Sequence, residues 1–397
     1  MDQRQDPVWR DTEPSAASGP AQLDIRFTGS GSEYFRIWIV NLLLTLVTLG
    51  IYYPWAKVRR LRYFHGNTLV GGHALGFHAD PMKLLRGYTL VGAMALLYSL
   101  AGRFSPLAGL LALAIVAAIW PALIKSSMQF RLANTSWRGL RFRFRGSIGG
   151  AYRAVLPLFV PGLVIVAAVA FVEDRQRPPD WYVALVFVVM GSLLLVGPWL
   201  WWNLKKYQHD HYAFGREQTQ LSAGIGSFYG VFLKTVGVTL LAVIGFGLLV
   251  FLVGAVFGIS GPRPGGMRGA GLAMAMIIGL LFFFLGLFVV QLVPRPYFAS
   301  RMQNLLWSST ASRSIRFASE LRFFPLLGLT VKNWLLMVLT LGLYWPFAAV
   351  ALARIRLEAL NVVMNVDPQR LVDETGAAEG EAAGDAAGDL FGLDIGL

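Results

Sequence analysis

The chain contains no cysteine, which excludes disulfides, thiolate metal sites and cysteine nucleophiles. Charge is also scarce, because Asp, Glu, Lys and Arg make up 14% of the 397 residues, against about 25% in a typical soluble domain. Hydrophobic residues supply 55%, and the mean hydropathy is +0.55. So few charges cannot cover a soluble surface, and the composition therefore predicts a protein that crosses a membrane several times.

A signal peptide is also missing, since the first residues are polar and have no apolar core. We therefore expect an internal hydrophobic span to direct insertion. The last residues are rich in Gly, Ala and acid, a composition that cannot bury a core. The sequence predicts a disordered N-terminal tail (1–23), a repeat-built transmembrane domain (24–365) and a disordered acidic C-terminal tail (366–397).

Apolar runs of about 20 residues, the length that crosses a bilayer, are frequent. Eight segments qualify: 36–56, 87–102, 105–124, 154–172, 182–202, 231–257, 271–293 and 331–352. We therefore predict an all-α polytopic membrane protein with about eight transmembrane helices.

Positive charge is concentrated in alternate connections between these spans. The segments 57–86, 125–153, 203–234 and 294–332 hold 23 of the 35 Lys and Arg residues, and the other connections between spans hold five. Basic residues collect in cytoplasmic loops of membrane proteins. This bias places the four basic segments in the cytoplasm, and it accounts for most of the net charge of +13 without a nucleic-acid partner.

A nonapeptide occurs twice, as "VTLGIYYPW" at 47–55 and as "LTLGLYWPF" at 339–347. We interpret both as copies of a degenerate internal repeat, in which an apolar span is followed by interfacial aromatics, a proline and a basic surface helix. The last copy loses the pattern after its proline. The prolines that anchor the five copies are Pro54, Pro121, Pro198, Pro294 and Pro346.

Three short runs alternate between apolar and polar residues: "LRFRFRG" at 140–146, "SIRFAS" at 314–319 and "DIRFTG" at 24–29. A period of two residues is typical of a strand. We therefore predict short cytoplasmic β segments that form a small sheet beneath the helices.

The repeat conflicts with a simple topology. Phe27 and Phe77 occupy the same repeat position, yet only the segment 36–56 separates them. Two arrangements fit: eight crossings with both termini outside, or six crossings with 36–56 and 331–352 re-entrant and both termini inside. Gly50 and Gly342 lie near the ends of these segments rather than in the middle, and this position favours eight crossings.

The opening stretch "EYFRIWIVNLLLTLVTLGIYYPWAKVRRLRYFHGNT" resembles the YjgN-like family of bacterial inner-membrane proteins, a domain of unknown function. The resemblance covers roughly residues 24–365. It implies a multi-pass protein of the bacterial cell inner membrane. It implies no activity and no catalytic residue, because the family has no established one.

Polar residues inside the predicted spans are few. Asn41, Thr45 and Thr48 share one helix face, and they either line a pathway or hydrogen-bond between packed helices. We name the following as pathway or repeat-motif residues: Asn41, Thr45, Thr48, Gly50, Tyr52, Pro54, Asn67, Thr68, Asn134, Thr135, Thr340, Gly342, Tyr344 and Pro346.

The basic run "RGLRFRFRG" has the composition of an RNA-binding segment. A strand at the membrane with arginine on one face more simply meets anionic lipid headgroups, at about 1 kcal/mol per basic residue. We therefore expect membrane lipids as partners and no nucleic acid. The residues predicted to contact anionic lipid are Lys57, Arg59, Arg60, Arg62, Arg141, Arg143 and Arg145.

Motifs of enzymatic chemistry are absent: the sequence has no Walker loop, nucleophile elbow or zincin helix. "QHDHY" places His209 and His211 around Asp210, but a zinc site needs three or four ligands. We interpret these histidines as solvated or interfacial, and we expect no catalytic residue, cofactor or metal.

Three functions remain open at this point. The first is transport or channel-like passage of a lipid or small uncharged solute, since repeats are common in transporters. The second is a non-catalytic scaffold that organises the membrane or binds lipid. The third is a lipid-modifying enzyme. A hydrated path would favour the first, a closed bundle with a basic face the second, and a pocket of paired acids or histidines the third.

Overall fold

The computed structural model describes residues 21–174, 176–256, 279–280, 286 and 292–367. The predicted tails therefore lie largely outside the described residues. The helices are α1 (Gly31–Val47), α2 (Tyr53–Gly66), α3 (Pro81–Phe104), α4 (Pro106–Ala133), α5 (Ile148–Val155), α6 (Val160–Val169), α7 (Asp180–His209), α8 (Ile225–Val256), α9 (Pro294–Ser308), α10 (Phe323–Leu339) and α11 (Trp345–Leu357). A 3-10 turn, Leu156–Leu158, follows α5.

The strands are short and lie between the helices. They are β1 (Ala21–Phe27), β2 (Thr68–Val70), β3 (His73–Phe77), β4 (Thr135–Trp137), β5 (Leu140–Phe144), β6 (Tyr212–Phe214), β7 (Glu217–Gln218), β8 (Gln220–Leu221), β9 (Thr310–Ala311), β10 (Ile315–Ser319) and β11 (Leu360–Met364). The three alternating runs of the sequence lie in β1, β5 and β10.

All eleven strands belong to one antiparallel sheet, in the order β7-β6-β5-β4-β3-β2-β1-β11-β10-β9-β8. The strands at the two ends of this order, β7 and β8, are neighbours along the chain and are joined through Thr219. The Thr219 N–H donates to the Tyr212 carbonyl at 2.8 Å. The sheet therefore returns to its own start, and we call this closed arrangement the strand ring.

Apolar side chains fill the interior of the strand ring. Strand β5 shows the alternation, with Leu140 and Phe144 buried and Arg141 and Arg143 exposed. The buried residues of the interior are Trp137, Leu140, Phe214, Ile315, Val362 and Met364. The buried part of the ring interior that the structure describes is therefore apolar.

Both ends of the described chain take part in the strand ring. Strand β1 pairs with β11, with Ala21 opposite Met364 and Asp24 opposite Asn361. Residues 21 and 364 therefore lie on the same side of the helices. Around the ring, a pair of strands is repeatedly followed by helices, and β11 together with β1 supplies the pair that follows α11. The five anchor prolines are all buried at the start of α2, α9 and α11 or within α4 and α7.

The prediction of an all-α protein with about eight transmembrane helices is wrong. Among the described residues, four helices are long and apolar enough to cross a membrane, namely α3, α4, α7 and α8. Helices α5 and α6 with the turn between them form a fifth candidate that is bent by 50°, where Pro157 and Pro161 interrupt the hydrogen-bond ladder. The predicted span 271–293 lies almost entirely outside the described residues.

The two remaining predicted spans, 36–56 and 331–352, form helices of 17 residues that are not among the candidate spans. Each apolar helix reverses at the glycine of the nonapeptide, and the basic helix that follows brings the chain back toward the strand ring. Helices α1 and α2 pack together, as do α10 and α11, and α11 packs against α1. We call 31–66 the first hairpin and 323–357 the second hairpin. The prediction of eight crossings is wrong because these two helices, with 17 residues each, are shorter than the four candidate spans; the side of the termini stays a prediction.

Candidate functional site

A polar side chain fixes the turn of the first hairpin. The Thr48 hydroxyl donates to the Leu44 carbonyl at 2.8 Å and accepts from the Tyr52 N–H at 3.0 Å. Leu49 and Gly50 have positive φ values of 50° and 92°, and the Gly50 N–H donates to the Thr45 carbonyl at 2.8 Å. Glycine meets the left-handed conformation without steric cost, so "TLG" encodes a tight helical reversal.

The second hairpin repeats this geometry. The Thr340 hydroxyl donates to Leu336 at 2.6 Å and accepts from the Tyr344 N–H at 3.0 Å. Leu341 and Gly342 have φ values of 50° and 90°. The duplicated nonapeptide is therefore a helix-reversing turn, and Thr48 and Thr340 serve it through local hydrogen bonds.

The hairpins are shorter than the helices around them. At 1.5 Å per residue, α1 with 17 residues is about 25 Å long and α2 with 14 residues about 21 Å, whereas α3 and α4 reach about 36 and 42 Å. Leu49 and Leu341 at the two tips are each 94% exposed. We interpret the short helices and the exposed leucines at their tips as re-entrant segments, one of the two arrangements that the repeat allows; this topology stays a prediction.

A cavity of about 450 Å³ lies beside the hairpins. One face of α11 forms its floor, and α2 and α10 contribute its walls. Its lining residues are Arg60, Phe64, Thr330, Asn333, Trp334, Met337, Trp345, Ala348, Ala349, Leu352, Ala353 and Arg356. We call it the hairpin cavity. The three alanines leave the space, and the volume is that of an ordinary small-molecule site.

Two arginines give the hairpin cavity its charge, and no carboxylate lines it. The Arg60 guanidinium lies 5.3 Å from the ring centre of Trp345 and 5.8 Å from that of Phe64, two favourable cation–π distances. Arg356 Nε donates to Gln303 Oε1 at 2.8 Å, and Gln303 Nε2 donates to the Arg356 carbonyl at 2.8 Å. Both cations are therefore held in place.

Each hairpin also buries one asparagine. Asn41 and Asn333 are both 6% exposed, and the Oδ1 atoms of both lack a hydrogen-bond partner among the described residues. Each lies nine positions before the turn glycine of its hairpin. A buried acceptor without a donor costs about 1–3 kcal/mol. The Thr45 hydroxyl bonds to the Asn41 backbone carbonyl at 2.6 Å and leaves this side chain unsatisfied.

The Asn-Thr pairs of the repeat lie away from the hairpin tips, where helices end and strands begin. Asn67 Nδ2 donates to Tyr63 and the Thr68 hydroxyl to Phe64, at 2.9 and 2.7 Å. Asn134 and Thr135 make the same bonds to Phe130 and Arg131, both at 2.8 Å. These side chains satisfy the last carbonyls of α2 and α4; a pathway role for them stays a prediction.

The residues predicted to contact anionic lipid divide into three groups. Arg141 and Arg143 point outward from the strand ring, and Arg145 donates to the Gly215 carbonyl at 2.8 Å. On α2, Arg59 is exposed. The others on that helix have described contacts: Lys57 Nζ with the Tyr88 hydroxyl at 2.6 Å, Arg62 with the Ala79 carbonyl at 3.2 Å, and Arg60 with its two rings.

The histidines are dispersed over the ring side. His209 Nδ1 is 2.9 Å from the Thr310 hydroxyl, and His211 Nδ1 is 2.7 Å from the Tyr207 carbonyl. His65 is bonded to Leu61 of its own helix. No group of three metal-ligating side chains occurs among the described residues.

A second, more open cavity of about 740 Å³ lies on the strand ring, between the β2–β3 and β4–β5 turns. We call it the ring groove. His73 and Arg138 lie 3.3 Å apart across it, and His78 Nε2 is 2.8 Å from the Ser136 hydroxyl. Arg141 also lines it, and no acid does.

Sequence reasoning missed Asn333, Trp345 and Arg356 as site residues. The signal for Asn333 was available, because aligning the two nonapeptides places it opposite Asn41. Arg356 follows the second nonapeptide by nine positions, but only the packing of α2, α10 and α11 brings it to the cavity that Arg60 lines.

Several apolar helices long enough to span a bilayer, beside two helical hairpins and the strand ring, define a polytopic membrane protein. A family model described as "Bacterial protein of unknown function (DUF898)" matches residues 22–390. The chain belongs to this family.

Named relatives agree with the family. Inner membrane protein YjgN of Salmonella typhimurium strain LT2 is 30% identical over 172 residues, which are 43% of this chain and 44% of that protein. The protein of the same name from Escherichia coli strain K12 is 26% identical over 173 residues, 43% of each. The match thus spans less than half of these relatives. No solved structure matches. The resemblance to YjgN-like proteins and the inner-membrane location are confirmed.

Proposed function

We propose that this protein passes phospholipid between the leaflets of the bacterial inner membrane, alongside its two hairpins. One observation carries the proposal: the hairpins are neighbours, since α11 packs against α1, and their helices are shorter than the candidate spans. In this proposal the hairpins end partway through the bilayer, and lipid passes beside them in contact with the hairpin cavity.

The physical need is to lower the cost of moving a polar headgroup through hydrocarbon. An unpaired polar group in an apolar medium costs several kcal/mol, and an unpaired charge costs far more. The hairpin cavity offers arginine and asparagine side chains beside an apolar wall of Met337, Leu352 and Trp334. A lipid can therefore keep its chains in the bilayer while its headgroup contacts protein.

The apolar interior of the strand ring argues against the alternative function, passage of a small solute through a central channel. Its interior side chains are apolar and buried, so a small solute has no route along the axis through the described residues. A lateral route at the hairpins avoids this obstacle, which is why lipid is favoured over a small uncharged solute.

The test is leaflet exchange in vesicles. Purified protein is reconstituted with a fluorescent phospholipid, and dithionite is added outside. Without protein only the outer-leaflet label is reduced; with protein we expect the inner-leaflet label to be reduced as well. A matched pair of variants locates the route. Met337→Trp narrows the hairpin cavity and should slow exchange, whereas Leu335→Trp, on the same helix but outside the cavity lining, should not. Equal exchange in protein-free vesicles contradicts the proposal.

The ring groove favours a second function, a scaffold that binds anionic surfaces. Its arginines and histidines have no acid among them, and exposed Arg26 and Arg316 extend the basic surface on β1 and β10. If this is the function, proteoliposomes should capture anionic vesicles, and Arg138→Gln with Arg141→Gln should abolish capture without changing leaflet exchange.

We also propose that the chain is built from five repeats arranged in a circle. What supports this is the recurring order of a strand pair and helices, the equivalent hydrogen bonds at Thr48 and Thr340, and the pairing of β1 with β11. In this arrangement the N-terminal strand completes the copy that the C-terminal end begins.

A further inference from the structure

The hairpin cavity is lined by charged and apolar side chains, which match the charged head and the apolar chains of a lipid. Arg356 lies near the end of α11 that leads to the strand ring, and Met337 lies near the end of α10 that leads to the tip. Arg60 adds a second cation, against Trp345 at the start of α11. The lining therefore combines two cations with an apolar wall, and an amphiphile with an anionic head matches this combination.

Both arginines that line the hairpin cavity keep hydrogen-bond donors that no described residue occupies. Arg60 is held by the faces of Trp345 and Phe64 and makes no hydrogen bond or ion pair with any described residue. Arg356 uses only Nε for its bond to Gln303, so within the described chain both Nη atoms are available. Guanidinium groups bind phosphate oxygens through paired hydrogen bonds, and such charge-assisted bonds are among the strong ones.

Asn333 adds a second requirement for the ligand, a hydrogen-bond donor. Its side chain lines the cavity, is 6% exposed, and has an Oδ1 atom with no partner among the described residues. Such an acceptor is costly unless a ligand supplies a donor. A headgroup hydroxyl supplies one, and it also sits within a few bonds of the phosphate in a glycerol headgroup.

We propose that the hairpin cavity binds the headgroup of an anionic phospholipid, with the phosphate between Arg60 and Arg356 and a headgroup hydroxyl on Asn333. The acyl chains then lie along Trp334 and Met337 toward the hairpin tip. This deepens the proposed lipid passage and rests on it for the physiological role. The binding itself is measurable without transport.

Binding is tested on the full chain in neutral detergent, by thermal unfolding and titration calorimetry. The probe is dihexanoylphosphatidylglycerol. Dihexanoylphosphatidylcholine tests the need for net charge and a hydroxyl, and glycerol 1-phosphate tests a free phosphate ester. We expect dihexanoylphosphatidylglycerol to raise the melting temperature. The choline lipid lacks the net charge and the hydroxyl, and glycerol 1-phosphate lacks the acyl chains, so we expect both to bind at least about tenfold more weakly.

Variants assign the site. Arg60→Gln and Arg356→Gln should each weaken phosphatidylglycerol binding about tenfold or more, the loss expected for one charge-assisted contact, and Arg60→Lys should lose less. Arg59→Gln is the matched control, because Arg59 is an exposed neighbour on α2 that does not line the cavity. Asn333→Leu should raise the melting temperature of the free protein yet reduce the preference for glycerol over choline headgroups, while the part of that preference due to net charge remains.

The outcomes separate the site from the function. If Arg59→Gln weakens binding as much as Arg60→Gln, the attraction is general surface charge and the site is overturned. If glycerol 1-phosphate binds as tightly as the lipid, the ligand is a soluble phosphate ester. If phosphatidylglycerol binds as proposed but leaflet exchange is absent, the site stands and the transport proposal falls. If exchange occurs but neither arginine variant changes binding, the transport proposal stands and the proposed site is overturned.

Discussion

The hairpin tips offer a direct measurement of depth, because the chain has no cysteine and a single introduced cysteine is unique. The perturbation is Leu49→Cys at the tip of the first hairpin, with Phe104→Cys, at the end of α3, as the matched position. Both side chains are exposed, at 94% and 85%, so labelling disturbs no packing. Each cysteine carries a spin label or a small fluorophore.

The expected separation follows from helix lengths. Helices α1 and α3 both begin four residues after a buried phenylalanine of the strand ring, Phe27 or Phe77, so we expect their starts to lie at similar depth. Their 17 and 24 residues then differ by about 10 Å at 1.5 Å per residue. The returning helices α2 and α4, with 14 and 28 residues, differ by about 21 Å. We therefore expect the two labels to differ in depth by about 10–21 Å, against a hydrocarbon core of about 30 Å.

Depth is read from quenching by phospholipids brominated at different chain positions, and access from a membrane-impermeant maleimide added on each side. We expect the label at 49 to be quenched best by bromine near the bilayer centre and the free thiol to react from neither side. The label at 104 should be quenched near the far interface. If the thiol at 49 reacts from the same side as that at 104, the first hairpin crosses and the re-entrant interpretation is refuted.

Two further predictions concern stability. Gly50→Ala should lower the free energy of unfolding by about 1–2 kcal/mol. Gly50 has φ +92° and no atom lies within 4 Å of the added Cβ, so backbone strain is the whole cost. The control is Gly66→Ala, which is also in open space but lacks a positive φ and should leave the melting temperature unchanged or raise it. Glu217 is a pH-dependent contact at the seam of the strand ring. Burial alone would raise the pKa of Glu217, but hydrogen bonds from Ser312, Ser314 and nearby backbone N–H groups outweigh it and lower that pKa. A lowered pKa stabilises the fold above the ordinary carboxylate range, and this contribution is lost as pH falls through the folded pKa. Melting curves between pH 7 and pH 3 should therefore fall more steeply for the wild type than for Glu217→Gln, and parallel curves would contradict the assignment.

Much of the local structure was predictable from the sequence. The alternation in "LRFRFRG" marked β5, and the Asn-Thr pairs marked the junctions where α2 and α4 end. The anchor prolines marked helix starts and buried positions within α4 and α7. These features depend on backbone sterics and on hydrogen bonds between residues that are four positions apart. Such local interactions can be predicted from short segments of the sequence.

The path of the two hairpins was not predictable in the same way. An apolar helix of 17 residues is compatible with crossing, and the turn glycine lies where a span would end. What reverses the chain is the combination of Thr48, Leu49 and Gly50 with a basic helix that packs back against α1. A hydropathy pattern does not distinguish this return from a cytoplasmic loop, since both are basic.

By itself, the sequence determined that this protein lies in a membrane, that its basic segments share one side, and that the two copies of the nonapeptide have the same local structure. Those properties follow from composition and from local geometry. Only the tertiary structure decided that the strands close into one ring, that β1 and β11 from opposite ends of the chain are partners, and that Arg60 and Arg356 line one cavity with Asn333. These facts depend on contacts between residues far apart in the chain, such as Ala21 with Met364 and Arg60 with Trp345, and no local pattern specifies which distant surface a helix or strand will meet.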